Sequence, residues 1–185
     1  MVVTNNDKLA ERMGLLRSHG MTSLTLDRHK GHAYSYDVLA LGYNYRIDEI
    51  RAAFGIEQLK LLEKNNAHRK HNVELYHRIL KEVDEISIPF YDYPYKSSCH
   101  IFPIVLKAGI NTNEFRERLK AKGIQTSMHY PPIHLFRFYR KRFGYKQGLL
   151  PVTEDIGKRE VTLPLFPLMD DRSFEYIAQS IKDLL

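Results

Sequence analysis

Apolar residues recur at helical spacing along several stretches of the chain and alternate with polar ones in others, and between them lie segments with neither period. Leu9, Met13 and Leu16 share one helical face behind a capping Asn5 or Asn6, and Arg17, His19 and Gly20 supply a basic last turn and a C′ glycine. Val2 and Val3 read as the end of a strand, and a strand that opens at residue 1 implies an element begun upstream. Residues 21–46 show no period and are rich in His, Tyr and Gly, which predicts a long loop of the kind that often carries function. Asp48 is a plausible N-cap with Ile47 as its staple, and helical character runs on to about Val83. Such a helix would be on the order of 50 Å long, so a kink or break is expected near the polar stretch Asn65–Asn72.

Beyond it, CHIFPIVL (99–106) is predicted as a strand, and Thr112 opens a helix with Phe115 and Leu119 on one face and Gly123 at its close. Ile124, Thr126 and Met128 alternate with polar neighbours and predict a second strand. HYPPIH (129–134) must be irregular, because Pro131 and Pro132 remove donors and restrict the residues before them. A short basic-aromatic stretch follows at 135–143, Thr153 is a candidate cap for another short helix, and VTLPLFP (161–167) reads as strand and loop. Asp170 or Asp171 starts the last helix, whose stripe is Phe174, Ile177, Ala178, Ile181 and Leu184. Strand and helix in turn from residue 84 onward predict an α+β layer with helices on a small sheet.

With 43% hydrophobic and 27% charged residues, a chain of 185 can bury a core, either as one domain or as a small domain carrying a piece of another. The net charge of +6 favours anionic partners without choosing between nucleic acid and phosphorylated metabolites. Cys99 is the sole cysteine, which excludes an intramolecular disulfide and any cysteine-based zinc knuckle, and fits a reducing cytoplasm. The first residues lack a basic and apolar signal pattern, and no apolar run approaches the roughly 18 residues of a membrane span. Secretion by the usual signal and insertion in a bilayer are therefore not expected.

Neither GxxxxGK[ST] nor GxGxxG occurs. His68 and His71, with Glu63 or Glu74 nearby, have metal-compatible spacing but no clear third and fourth ligand, and read as a solvated helix face. Arg137–Arg142 interleaves rings with cations, as a nucleic-acid surface does, yet a solvated, snorkelling helix is the simpler reading. HYPPIH either displays His129, Tyr130 and His134 toward a ligand from a stiff segment or is a rigid connection with exposed histidines, and the residues alone do not choose. In GYNYR (42–46), Gly42 permits a positive φ and Asn44 offers amide donors just ahead of a helix. Asn44 could face an anion there, although a local turn in which it bonds its own backbone is the simpler physical reading.

Taken together, MVVTNNDKLAERMGLLRSHGM, YDVLALGYNYRIDEIRAAFGIEQLKLL, the YPPIH segment and LPLFPLMDD resemble the C-terminal half of the DegT/DnrJ/EryC1/StrS family, the pyridoxal-phosphate-dependent sugar aminotransferases. The resemblance implies the small C-terminal α+β domain of a type I aminotransferase, preceded by the tail of its α/β large domain. The expected boundaries are 1–46 for that tail and a cross-subunit loop, 47–83 for a connecting helix, and 84–185 for the small domain.

Members of the family convert a keto group on a nucleotide-linked sugar to an amine, with an amino acid such as glutamate as donor, and the cofactor carries the hard chemistry. The resemblance places the Schiff-base lysine upstream of MVVTN, along with the acid that pairs with the pyridine nitrogen and the aromatic that stacks on the ring. Lys8 and Lys30 lie in the wrong segments to replace that lysine, so the chain alone is expected to be inactive and to bind no pyridoxal phosphate by itself. Asn44 matches the asparagine that reaches the cofactor phosphate of the neighbouring subunit in a homodimer, and His129, Tyr130 and His134 match the segment lining the sugar-nucleotide site. The loop with His32, Tyr34 and Tyr36 is expected to cross toward the partner as well. The rival expectation is a non-catalytic assembly module or a basic nucleic-acid-binding domain.

Overall fold

The computed structural model describes residues 2–22, 36–90, 95 and 97–185. The chain forms two compact units, Met1–Lys60 and Leu61–Leu185, and the division between them falls inside a helix. His32, Tyr34 and Lys30 lie outside the described residues.

In the first unit, helix α1 (Asp7–Arg17) is capped by Asn6, whose side chain accepts the Leu9 N–H at 3.2 Å. The helix closes at Ser18, and it is His19 (φ 62°) that makes the first left-handed turn, with Gly20 (φ 72°) after it. The two sit side by side because the chain reverses at once to meet residues 37–45. His19 N–H donates to Tyr43 O (2.9 Å), Tyr43 N–H to Leu16 O (2.7 Å) and Tyr45 N–H to Arg17 O (3.0 Å), while Leu39 N–H reaches Gly20 O (2.9 Å). Val2 and Val3 are exposed and belong to no strand among the described residues.

Helix α2 runs unbroken over Glu49–Leu80, 32 residues. Asp48 caps it, accepting the Arg51 N–H at 2.8 Å. The break expected near Asn65–Asn72 does not occur. Asparagine costs a helix only about 0.5 kcal/mol, the stretch holds neither Gly nor Pro, and two of its three asparagines are hydrogen-bonded. Asn66 Oδ1 accepts from Arg69 Nη1 (3.0 Å), and buried Asn72 donates Nδ2 to Phe166 O (2.9 Å).

The second unit holds an antiparallel sheet in the order β1 (Ile86–Ser87), β2 (Phe102–Leu106), β3 (Glu160–Leu163). Ile86 faces Leu106 across the first pair, and Phe102, Ile104 and Val105 face Leu163, Val161 and Glu160 across the second. Around it come α3 (Thr112–Ala121), a 3₁₀ turn (Ile133–Leu135), α4 (Arg137–Phe143), α5 (Pro151–Arg159) and α6 (Asp171–Leu184). The expected strand at 124–128 is reduced to one bridge, Ser127 opposite Thr162, and the His129 N–H that could extend the ladder donates instead to the Glu160 side chain at 3.2 Å. Thr153 does not cap α5: the helix begins earlier at Pro151, whose fixed φ suits the first helical position.

The core joins the C-terminal part of α2 (Tyr76, Leu80) to the strands (Phe102, Ile104, Leu106, Val161, Leu163), α3 (Phe115, Leu119) and α6 (Phe174, Ile177, Ala178, Ile181). Each large side chain fully buried there contributes about 1.5–3 kcal/mol. The expected stripe on α6 is the buried one, and Asp170 caps that helix by accepting the Ser173 N–H at 2.7 Å. Tyr76 crosses from the core to donate its hydroxyl to Pro164 O at 2.8 Å, which ties α2 to the segment leaving β3. Among the described residues no helix is long and apolar enough to cross a membrane.

Candidate functional site

In the first unit, the ribbon that holds Asn44 is fixed by its main chain. Asn44 bridges Ser18, and its flanking tyrosines carry the bonds to α1, with the rings of Tyr43 and Tyr45 stacked at 5.0 Å. Gly20 and Gly42 make this approach possible, since a Cβ on Gly42 would stand 2.1 Å from Gly20 N and one on Gly20 1.9 Å from Ala40 O. The Asn44 side chain is exposed and makes no hydrogen bond with any described residue, so the local turn that physics alone favours is not what forms. A held backbone thus presents free amide donors. Amide N–H donors of this kind are chemically suited to a phosphate such as that of pyridoxal phosphate, whose oxygens accept.

In the second unit, the HYPPIH loop is positioned from two sides. Pro132 packs on Gly157 of α5, where any Cβ would lie 2.9 Å from the proline Cδ. His129 is anchored on β3: its Nδ1 lies 2.9 Å from Thr162 Oγ1, and its backbone N–H donates to Glu160 Oε2 at 3.2 Å. Glu160 is buried, and Arg116 Nη2 donates to its carbonyl at 2.6 Å and stands 4.0 Å from its carboxylate. Tyr130 is 68% exposed, its ring edge-on to His129 at 4.9 Å, and is the loop's open contact surface.

His134 departs from the displayed arrangement that two prolines suggest. It is 6% exposed on the 3₁₀ turn, with Nε2 2.9 Å from Glu154 Oε1. Apolar Ile133 and Leu135 belong to a turn that tucks the histidine inward, where Glu154 supplies the partner its ring requires. The same carboxylate accepts the Gly148 N–H at 2.8 and 3.0 Å. These bonds, the Gly148 N–H first and His134 next, hold the Glu154 pKa below the ordinary glutamate value.

Glu154, Glu160 and Thr162 escape a reading of motifs. A trace of them is present in the sequence: an acid in the first turn after Pro151, and a charged residue heading a strand that is otherwise apolar but for one threonine. His68, weighed as a metal ligand, instead sets its Nδ1 at hydrogen-bond distance, 3.3 Å, from the Pro167 carbonyl oxygen. The Arg137–Arg142 stretch forms α4, with Phe138 exposed and the rings of Tyr139, Phe143 and Tyr145 in a stacked series.

Known proteins share this architecture. The Helicobacter pylori aminotransferase PseC, involved in pseudaminic acid biosynthesis, superposes with a TM-score of 0.86 at 30% identity, over 98% of this chain and 47% of that one. DesV of S. venezuelae gives a TM-score of 0.81 at 26% identity, over 98% and 45%. An uncharacterized protein of Methanocaldococcus jannaschii is 32% identical over all of this chain and 49% of its own length. The spore coat polysaccharide biosynthesis protein SpsC of Bacillus subtilis is 28% identical over the same shares. The chain therefore spans about half the length of the curated relatives it matches. Residues 1–182 match the DegT/DnrJ/EryC1/StrS aminotransferase family, and the chain belongs to that family.

Proposed function

We propose that this chain is one half of a pyridoxal-phosphate-dependent sugar aminotransferase, the half that holds the cofactor phosphate and recognises the sugar. The substrate is a nucleotide-linked keto sugar, the donor an amino acid such as glutamate, and the working form a homodimer. When bound, the cofactor supplies the electron sink for the carbanion chemistry. Asn44 carries the reading: an unbonded amide on a main chain locked by its neighbours is suited to grip an anion, here the phosphate in the partner subunit's site. Tyr130 offers an open ring and hydroxyl to the sugar nucleotide, His129 stands beside it, and His134 acts from beneath by fixing the loop to Glu154.

The family's imine-forming lysine matches none of the lysines in this chain, so the 185 residues alone do not transaminate. Titration with pyridoxal phosphate, borohydride reduction and intact-mass measurement should give no stoichiometric lysine adduct. Mixing with the complementary half should restore bound-cofactor absorbance and amination of a keto sugar nucleotide. A unique lysine adduct on the chain alone, or no cofactor binding after mixing, contradicts the assignment.

A second reading, nucleic-acid binding, is favoured by α4, which sets four cations among exposed rings and has no acid. Binding to random duplex that weakens steeply with salt would support it, and no binding at low salt dismisses it.

A further inference from the structure

His129 lies at the end of a polar chain that runs back into the protein. Its Nδ1 is 2.9 Å from Thr162 Oγ1, the Thr162 hydroxyl donates to Glu160 Oε1, and Glu160 Oε2 accepts the His129 backbone N–H at 3.2 Å. Arg116 Nη2 stands 4.0 Å from that second oxygen. Counting protons sets the direction of every bond. A carboxylate facing two donors and a guanidinium offers only lone pairs, so the single Thr162 proton is committed to Glu160 and the threonine oxygen can only accept. Nδ1 must then carry hydrogen, and in the neutral ring Nε2 is left as a bare acceptor. Ser127 Oγ lies farther from the same nitrogen, at 3.4 Å, and accepts from the same N–H. Were Ser127 the donor, the closer Thr162 oxygen would face Nδ1 lone pair against lone pair. No described residue bonds Nε2.

We infer that Thr162 and Glu160 are positioning residues that hold His129 as the Nδ1–H tautomer, so that Nε2 accepts a hydrogen bond from a sugar hydroxyl and does not bind the diphosphate. The inference rests on the sugar-aminotransferase reading of this chain. Phosphate oxygens have no proton to give an unprotonated imidazole nitrogen, whereas every ring hydroxyl does. The chain also accounts for a glutamate only 5% exposed at the head of an apolar strand, since a buried carboxylate is costly unless each oxygen is employed. His129 is thereby a reader of hydroxyl position on the sugar.

The ring nitrogen shifts of isotopically labelled histidine, with His129 identified by its loss in His129→Gln, report the tautomer directly. The wild-type chain and Thr162→Ser should show the Nδ1–H form, and Thr162→Val, nearly equal in volume but without the hydroxyl, should move toward the Nε2–H form. A wild-type ring in the Nε2–H form, or a Thr162→Val ring unchanged, overturns the inference. In enzyme assembled from both halves, Thr162→Val should raise KM for the sugar nucleotide about tenfold, the worth of one hydrogen bond, with kcat little altered and Thr162→Ser restoring KM. Equal KM in wild type and Thr162→Val overturns the substrate contact. Failure of the assembled wild type to aminate any keto sugar nucleotide removes the functional reading and the hydroxyl contact with it, while the nitrogen shifts still decide the tautomer.

Discussion

Glu154 and His134 meet at 2.9 Å with both side chains less than a tenth exposed, and the same carboxylate holds the Gly148 N–H. One buried acid therefore fastens both the turn after α4 and the inward end of the HYPPIH loop. The two loops share a single anchor, so disturbing the acid disturbs both.

Because its partners depress its pKa, Glu154 contributes stability that is present above the unfolded-state value and is lost as pH falls through the folded one. Glu154→Gln should be less stable at neutral pH, and its deficit against wild type should shrink as pH is lowered through the carboxylate range. Asp155, Asp170 and Asp183 are also held low by their partners, and the difference between the two proteins cancels their effect. Urea midpoints measured across that range test the point; a deficit that stays constant with pH contradicts it.

Tyr76 is fully buried, stacked on Phe102 at 4.6 Å and edge-on to Phe174 at 4.7 Å, and burial pushes its phenol well above the ordinary value. The hydroxyl therefore stays protonated and donates to Pro164 O. Tyr76→Phe leaves that carbonyl unsatisfied and should cost about 1–3 kcal/mol, read as a lower urea midpoint with an unchanged slope. An unmoved midpoint would show that Pro164 O finds another donor.

Helices with a clear apolar stripe, such as α6 and the α3 face of Phe115 and Leu119, are legible in the sequence because burial follows the period directly. The unbroken α2 is not legible. Asn65, Asn66 and Asn72 look like breakers until the distant Phe166 carbonyl that Asn72 serves is known. Strand β1 is two residues long, too short for any period to register. Asn44 and the HYPPIH loop stand out by composition, but the inward turn of His134 depends on a glutamate 20 residues away, which local pattern cannot reveal.

At Gly42 the obstacle to a side chain is backbone: Gly20 N would lie 2.1 Å and His19 C 2.4 Å from the new Cβ. Neither can swing aside as a side chain could. Gly42→Ala should thus loosen the first unit by about 1–3 kcal/mol or more. Amide exchange at His19, Tyr43 and Tyr45, whose N–H groups form the ribbon, should accelerate while amides around Tyr76 keep their protection. Uniform acceleration throughout the chain would mean that the strain is not local.

Asn44 differs from these positions because its side chain supports nothing within the described structure, so replacing it should leave folding intact and alter only what it grips. With the phosphate role proposed for it, Asn44→Ala in the assembled enzyme would remove a donor to a charged group, worth about 1.5–3 kcal/mol, and should weaken cofactor retention about 10- to 100-fold. Asn44→Asp keeps the size but sets a carboxylate against the phosphate, and should be weaker still. Cofactor dissociation, followed by absorbance as apo-protein scavenges the released cofactor, gives the order wild type, alanine, aspartate, with urea midpoints equal in all three. Equal retention would strip Asn44 of the phosphate role, while a fall in the midpoints would make it a structural residue of the ribbon. Only loss of retention at constant stability is what a free amide on a fixed main chain predicts.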